Sequence, residues 1–223
     1  MELSLKKLIG LCYATDELLQ DASALESVIS QGFAEEFGFM LDDALINGSG
    51  AGMPLGIMTA PCMVTVTRNT AARVMSEDII NMWARGWAKS RPNMVWYINQ
   101  DVEPNLQRMS LETATPIGGM MTYIPPGGLS QAPYGTLLGR PVIPIEQCQT
   151  LGTSGDIILA DFSEYLVIEK GGIQSASSIH VRFAYDESCF RFVYRVDGQP
   201  TWNAALTPFK GTNTLSPFVR LST

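Results

Sequence analysis

One helical stripe of apolar residues runs between Leu25 and Leu45. The apolar side chains recur there at steps of three and four, which is the spacing of one face of an α-helix. Ser23 and Glu26 have the S-x-x-E spacing of a capping box, and Asn47-Gly48 is suited to ending a helix. The pattern predicts a helix over 24–46, about 34 Å long at ~1.5 Å per residue. Such a helix is long for a domain of this size.

A glycine-rich run, GSGAG at 48–52, follows the predicted helix. A phosphate-binding loop follows a strand, opens a helix and carries GK[ST]. A dinucleotide fingerprint likewise needs a strand before it and a helix after it. Here the glycines follow a helix, and no Lys-Ser or Lys-Thr pair comes after them. The run predicts a helix stop with close backbone packing, not a nucleotide site.

The rest of the chain mixes short helices with strands, which indicates an α+β fold. A second helix is predicted from Ser76, with Ile79, Ile80, Trp83 and Trp87 along one face, and a short helix over 101–109. Strands are predicted at 94–98, 141–145 and 156–162, and two more lie on either side of Asp186-Glu187 within 179–200. A Gly/Pro-rich stretch, 113–139, is predicted to be a long irregular excursion, and such loops are usually functional or interfacial.

Composition limits the function classes. The 223 residues include four scattered cysteines without a CxxC pair and one histidine, so no metal site and no cofactor is predicted. No apolar run approaches the ~18 residues of a membrane helix. Residues 1–67 hold nine acids and two lysines, a net charge of −7, whereas 68–223 hold 13 acids and 13 bases. Nothing resembles a basic nucleic-acid footprint.

Two local chemistries remain as alternatives. A hydrolase would need His180, the one histidine, with a serine such as Ser49 and an acid. The acid pairs Glu35-Glu36 and Asp42-Asp43 do not face one another within their pairs, because neighbouring helical residues point in different directions. They favour a solvated or intersubunit face over a catalytic dyad. An oligomerisation role and an ordinary exposed face are both open for this acidic helix.

Five segments, in this order, carry a resemblance to a known family. They are ATDELLQDASALESVISQGFAEEFGFMLDDALINGSGAGMPLGIM (14–58), WYINQDVEPNLQRM (96–109), LLGRPVIPIEQ (137–147), GDIILADFSEYLVIEKGGIQ (155–174) and FRFVYRVDGQP (190–200). Together they resemble the tailed-phage major capsid protein family, whose shell fold is of the Hong Kong 97 type. The resemblance covers nearly the whole chain.

The resemblance implies a phage capsid fold with a long spine helix. It implies a β-containing peripheral (P) domain over 1–55 and 176–200, and a mixed α/β axial (A) domain over 56–175 and 201–223. The family's N-terminal arm and extended hairpin, the E-loop, would precede this chain, so an N-terminally truncated product is expected. The asparagine that some relatives crosslink would fall near Ser188, so crosslinking is not expected.

The implied function is that of a major capsid subunit and not of an enzyme. It would self-assemble into pentamers and hexamers of an icosahedral phage or prophage shell, in the cytoplasm of a bacterial host. The shell would enclose double-stranded DNA without binding it specifically, and scaffold and portal proteins are further implied partners. The alternative is an encapsulin-like nanocompartment that encloses a cargo enzyme.

The expected subunit contacts come from two places. The excursion over 118–138 is expected at the capsomer axis, and Glu35 and Glu36 are expected on an intersubunit face of the long helix. The excursion residues expected to contribute contacts are Met120, Met121, Tyr123, Leu129 and Tyr134.

Overall fold

A computed structural model describes residues 2–21, 25–109, 123–126 and 134–223. The chain divides into two compact units, each built from two stretches of sequence. Unit 1 comprises Met1–Gly56 and Val167–Gln199, and unit 2 comprises Ile57–Leu166 and Pro200–Thr223. Each unit has its own sheet and its own helices.

Unit 1 is one long helix on one antiparallel sheet. The helix α2 spans Leu25–Asn47, where the apolar stripe predicts 24–46, and a short helix α1 (Asp16–Asp21) precedes it. The sheet contains β1 (Lys6–Thr15), β8 (Tyr165–Glu169), β9 (Gln174–Arg182) and β10 (Glu187–Pro200). Strand β10 is central, since β1 pairs along one side of it and β8 and β9 along the other.

Aromatic rings join α2 to the sheet. Phe33 of α2 stacks on Phe192 of β10, with ring centroids 4.4 Å apart, and meets Phe37 edge-on at 6.0 Å. Gly10 of β1 lies opposite Phe192, and its missing side chain leaves room for the Phe33 ring. The helix and the sheet therefore meet at a site where one strand must carry a glycine.

Most of α2 lies outside this contact. Within the helix only Phe37 and Ile46 are buried. Two members of the apolar stripe, Val28 and Met40, are 62% and 48% exposed. The rings that join α2 to the sheet are those of Phe33 and Phe37.

Unit 2 is built on a seven-stranded mixed sheet. Its strand order is β2-β11-β7-β3-β6-β5-β4. The strands are β2 (Val64–Thr67), β3 (Val95–Ile98), β4 (Tyr123–Ile124), β5 (Gly135–Leu137), β6 (Arg140–Pro144), β7 (Ile157–Ala160) and β11 (Phe218–Ser222). The pairs β2–β11 and β3–β6 are parallel, and the other pairs are antiparallel.

In the described part of unit 2 the sheet is joined by two α-helices, α3 (Ser76–Arg85) and α4 (Glu103–Gln107). Ile79 and Met82 of α3 are fully buried in the core of this unit, but Ile80 is 45% exposed. Trp87 was predicted on the same helix face and lies beyond the end of α3, where it packs edge-on against Trp202. The helix ends early because the Gly86 N–H turns back to the Trp83 carbonyl oxygen at 3.2 Å.

Candidate functional site: exposed surfaces of unit 1 and the glycine-rich turn

The glycine-rich turn after α2 closes on itself. The Gly48 N–H donates to the Ala44 carbonyl oxygen at 3.0 Å, Gly50 to Pro54 at 3.2 Å, and Gly56 to Gly48 at 2.8 Å. A Cβ at position 56 would lie 2.6 Å from the Ile46 carbonyl oxygen. Because these N–H groups already have protein acceptors, the turn does not offer a phosphate a cradle of amide donors.

The structure does not bring the two hydrolase candidates together. His180 lies on β9, and it lines a shallow cavity with Ser177, Ser188 and Glu26 from the first turn of α2. Ser49 lies just past the other end of α2, about 30 Å away at ~1.5 Å per residue. The Ser188 hydroxyl donates to Asp16 Oδ1 at 2.6 Å. A Ser49–His180 pair is therefore ruled out by the helix that separates them.

Unit 1 carries most of the exposed apolar surface of the described residues. Fourteen of the nineteen large hydrophobic side chains that are exposed belong to it. Ile9, Leu11 and Tyr13 share one side of β1, and exposed apolar side chains that lie side by side in this way indicate a contact with another molecule. The fourteen are Ile9, Leu11, Tyr13, Leu18, Val28, Phe39, Met40, Met53, Val167, Ile173, Ile179, Val181, Phe183 and Tyr185.

The outer side of α2 is acidic and apolar together. Glu35, Phe39 and Asp42 lie at i, i+4 and i+7, so they form one stripe along the helix. Phe39 is 45% exposed, and both carboxylates are exposed. Phe33 and Phe37 face the sheet, and the stripe lies roughly on the opposite side of the helix. We call Glu35, Phe39 and Asp42 the acidic stripe.

The side of the sheet that faces away from α2 is basic and apolar. Residues paired directly across two strands lie on the same face of a sheet. The pair Gly10–Phe192 faces α2, so the pairs on either side of it, Ile9–Val193 and Leu11–Arg191, face away from α2. The pair Lys7–Arg195 faces away from α2 as well. Ile9 and Leu11 are 51% and 53% exposed. We call Lys7, Ile9, Leu11, Arg191, Val193 and Arg195 the basic sheet face.

The three cations of the basic sheet face have no carboxylate within ion-pair distance among the described residues. The two ion pairs among the described residues are Arg68–Asp156 and Arg182–Glu187, and neither belongs to the basic sheet face. The sequence analysis did not predict this face. Lys7 is far from Arg191 and Arg195 in the chain, and these residues become neighbours only once the β1–β10 register is known. The R-x-x-x-R spacing within β10 was the one signal available beforehand.

The predicted contact residues fall into three groups. Glu35, Glu36 and Tyr134 are exposed, Tyr134 by 46%. Tyr123 is a correction: it is 2% exposed, belongs to the core of unit 2 and packs over Gly135, so its side chain is not available to a neighbour. Its hydroxyl lies 3.4 Å from Glu103 Oε1. Burial, then the Glu103 charge, raises the pKa of Tyr123. Met120, Met121 and Leu129 lie outside the described residues.

A buried ion pair crosses the sheet of unit 2. Arg68 Nη2 lies 2.6 Å from Asp156 Oδ2, and their side chains are 2% and 0% exposed. The Gly152 N–H donates to the same carboxylate at 2.9 Å, and Arg68 Nε donates to the Ser222 carbonyl oxygen at 3.2 Å. These bonds join β2, the end of β11 and the loop before β7, so the pair has a structural role.

Three side chains have a pKa well above the ordinary value. Burial, and then the Asp156 charge, raises the pKa of the Cys148 thiol to about 12. Burial raises the pKa of the Cys62 thiol to about 11, against a backbone hydrogen bond that lowers it. The hydrogen bond from the Tyr194 hydroxyl to Glu169, 2.6 Å long, raises the pKa of Tyr194 to about 12 with a smaller effect of burial. These thiols are protonated at neutral pH and are poor nucleophiles.

No group of three or more His, Cys, Asp or Glu side chains among the described residues is placed to hold a metal ion. In the same part of the chain, no helix combines the length and the apolar content that spanning a membrane requires.

Comparisons with known proteins give one consistent result. The model of the phage capsid family matches residues 1–211. Among solved structures, the capsid of a native GTA particle, computed with C5 symmetry, is similar with a TM-score of 0.75 and 18% identity, over 98% of this chain and 72% of that chain. No curated protein matches.

Two further solved structures share the fold. The Microbacterium phage Oxtober96 structure has a TM-score of 0.68 and 13% identity, over 99% of this chain and 73% of that chain. The holo-SrpI encapsulin complex from Synechococcus elongatus has a TM-score of 0.64 and 11% identity, over 98% and 73%. At these identities the likeness shows a common fold.

Proposed function

Because this chain belongs to the phage capsid family, we propose that it is a major capsid subunit. It self-assembles into pentamers and hexamers of an icosahedral phage or prophage shell that encloses double-stranded DNA. The observation that carries this proposal is the family match over residues 1–211. Its support is the fold shared with the capsid of the GTA particle.

In this proposal the two units have different places in the shell. Unit 1 is the peripheral domain with α2 as its spine helix, and unit 2 is the axial domain. Tyr134, Glu35 and Glu36 make subunit contacts, and all three are exposed in the chain. The exposed apolar side chains of unit 1 support a role for this unit in contacts between neighbours.

The mechanism of assembly is multivalent burial. Each interface is modest, but symmetry repeats it around a closed shell, so the contacts reinforce one another. The net charge of −7 supports a container that confines DNA instead of gripping its phosphates. Scaffold and portal proteins are the further partners, and the subunit is synthesised and assembled in the cytoplasm of the bacterial host before it becomes part of the virion.

A second candidate function is a nanocompartment. The likeness to the encapsulin complex favours it, since that shell has the same fold. Such a shell would enclose a cargo protein in place of DNA. The contents of purified particles separate the two functions.

The test is negative-stain electron microscopy of the complete gene product, with and without a co-expressed scaffold. Closed particles of uniform size are expected, with nuclease-protected DNA inside them. Particles that hold protein and no nucleic acid would favour the nanocompartment. If only small species form even with a scaffold, the capsid function would be rejected and only the fold would stand.

A further inference from the structure

The turn that joins β9 to β10 presents two exposed aromatic rings. Phe183 and Tyr185, which belong to a short 3₁₀ turn, are 78% and 73% exposed. The Asp16 N–H donates to the Asp186 carbonyl oxygen at 3.1 Å, and this bond ties the turn to the start of α1. Aromatic side chains on a turn held in this way lose little freedom on binding, and they are typical anchors of protein contacts. We call Phe183, Tyr185 and Asp186 the hairpin tip.

A cavity of about 310 Å³ lies in the same unit, between the last turns of α2, the start of β1 and the glycine-rich turn. A cavity of about 150 Å³ already holds a benzene ring, so this one has room for an aromatic side chain and part of its neighbour. We call it the apolar cavity, because most of its lining is apolar. The lining includes Leu8, Met40, Leu41, Ala44, Met53 and Val196.

Within one chain the hairpin tip and the apolar cavity are far apart. The cavity contacts β10 at Val196, whereas the tip comes directly before Glu187, the first residue of that strand. Nine positions of β10 separate the two, about 30 Å at ~3.3 Å per residue. A contact between the tip and the cavity therefore needs two copies.

The placement of the two features determines how such copies would be arranged. The tip and the cavity lie at opposite ends of one strand, so copies joined by them lie next to one another within one layer, as the subunits of a shell do. The contact is head-to-tail, because one copy contributes the tip and the other the cavity. Head-to-tail contacts close into rings when the rotation between copies allows it.

The charges at the two features are of opposite sign. Beside the exposed rings, Glu187 is paired with Arg182 at 3.0 Å, so the remaining charge of the turn is that of Asp186. Lys6 and Lys7 line the apolar cavity together with one carboxylate. A ring that enters the cavity from this turn would bring an anion to two lysines, and such complementarity orients partners.

Phe209 of unit 2 is more exposed still, at 99%, but it is the less favoured occupant of the cavity. Lys210 follows it directly in the chain. This cation would then face Lys6 and Lys7, and like charges at a contact oppose it. Phe209 is therefore a suitable control for the loss of an exposed ring.

We infer that the hairpin tip of one copy docks in the apolar cavity of a second copy, with Phe183 inside the cavity and Asp186 beside Lys6 and Lys7. This inference rests on the proposed function, because it names one contact between neighbouring subunits. The buried ring supplies most of the affinity, and the charges select the orientation.

Two variants of the whole chain test this inference by disabling one side each. The tip variant carries Phe183→Ser and Tyr185→Ser, both at exposed positions. The cavity variant carries Ala44→Met, which fills part of the cavity with a side chain that suits a helix. Each variant alone is expected to associate at least about tenfold more weakly than the unchanged chain, because an aromatic anchor or its pocket is lost. An equimolar mixture is expected to form dimers and nothing larger, since it offers one intact tip and one intact cavity per pair.

Sedimentation velocity over about 1–100 μM protein measures the association, and far-UV circular dichroism checks that each variant is folded. Phe209→Ser removes an exposed ring that the contact does not use and should behave like the unchanged chain. Lys6→Glu with Lys7→Glu is a second cavity variant that leaves the apolar lining intact. It should also weaken association, with an effect that shrinks between about 50 mM and about 500 mM salt. Dimers in the mixture are a result that misfolded variants could not give.

Three results would overturn the inference. They are an unchanged chain that stays monomeric, a tip variant that associates like the unchanged chain, and a mixture that either stays monomeric or grows beyond dimers. If Ala44→Met alone weakened association, the cavity would belong to a different partner. Closed shells formed by the tip variant would reject this contact and keep the proposed function. Dimers in the mixture, from a complete gene product that never forms shells, would keep the contact and reject the proposed function.

Discussion

Replacing Gly10 with alanine perturbs the packing of α2 on the sheet of unit 1. The new Cβ would overlap Phe33 Cε1 and lie 2.7 Å from Phe33 Cδ1 and 3.2 Å from Phe37 Cε1. Phe33 cannot yield easily, because it stacks on Phe192 at 4.4 Å. Overpacking costs about 1–3 kcal/mol, and removing a glycine from a strand returns about 0.5–1 kcal/mol. We expect Gly10→Ala to lower the free energy of unfolding by about 1–2 kcal/mol.

Two optical signals separate the units in a guanidinium titration. The 23-residue α2 lies in unit 1, so circular dichroism at 222 nm follows that unit strongly. All four tryptophans lie in unit 2, so their fluorescence follows unit 2. Gly10→Ala should move the circular dichroism transition to lower denaturant.

The controls are alanines placed where no contact is made. Gly32 and Gly38 lie within α2, and a Cβ at either position meets nothing within 4 Å. Gly32→Ala and Gly38→Ala should each raise the free energy of unfolding by about 0.5–1 kcal/mol. Adding Phe33→Leu to Gly10→Ala should cost less than the sum of the two single changes. If Gly10→Ala were as stable as the unchanged chain, or if the two changes were additive, the packing argument would be refuted.

Three further predictions concern groups described above. Asp156→Ala should lower the free energy of unfolding by about 3–5 kcal/mol, because it leaves the buried Arg68 side chain without its partner. Glu187→Ala, which removes an exposed ion pair, should lower it by at most about 1 kcal/mol. Unfolding in guanidinium chloride measures both values. Stability should fall as the pH rises from 10 towards 12, since Tyr194 loses its proton in the unfolded chain before it does so in the folded chain, and Tyr194→Phe should reduce that slope. In an iodoacetamide time course read by mass spectrometry, Cys12, which is half-buried, should react well before Cys148.

Each of these has an outcome that would contradict it. Equal losses of stability for Asp156→Ala and Glu187→Ala would mean that burial does not set the cost of breaking an ion pair here. An unchanged alkaline slope in Tyr194→Phe would assign the slope to other groups. Labelling of Cys148 as fast as that of Cys12 would show that the core of unit 2 opens readily.

The sequence predicts the elements whose pattern is local. The helix predicted over 24–46 is Leu25–Asn47, and the strand predicted over 94–98 is Val95–Ile98. The glycine run was predicted to be a helix stop with close packing, and the Gly48–Gly56 hydrogen bond has that geometry. In each case the residues that decide the structure are close together in the chain, so their spacing alone carries the information.

Strand β1 was not predicted, and the reason is chemical. Ile9, Leu11 and Tyr13 point to one side of the sheet and Leu8 and Cys12 to the other. Both sides are therefore apolar, and the alternation that normally reveals a half-buried strand is absent. The basic sheet face was missed for the same reason, since it depends on how β1 pairs with β10.

Tyr123 shows the opposite error. It stands beside a Gly/Pro-rich stretch, which favours an exposed position, yet it is 2% exposed. The pairing of β4 with β5 sets it over Gly135, whose lack of a side chain makes the room for its ring. Composition describes a stretch on average and cannot identify the one residue in it that a neighbouring glycine admits to the core.

The sparse burial of α2 has a consequence for how the subunit responds to its neighbours. With Phe37 and Ile46 as its buried side chains, the helix has few contacts to hold its amide hydrogens against exchange, so these should exchange through local opening well before those of the unit 2 sheet. A neighbour that covers the outer side of α2 would bind the closed form alone and so slow that exchange by mass action. The amide exchange rates along α2 would then report on assembly residue by residue, with the exchange rates of the unit 2 sheet as the internal reference.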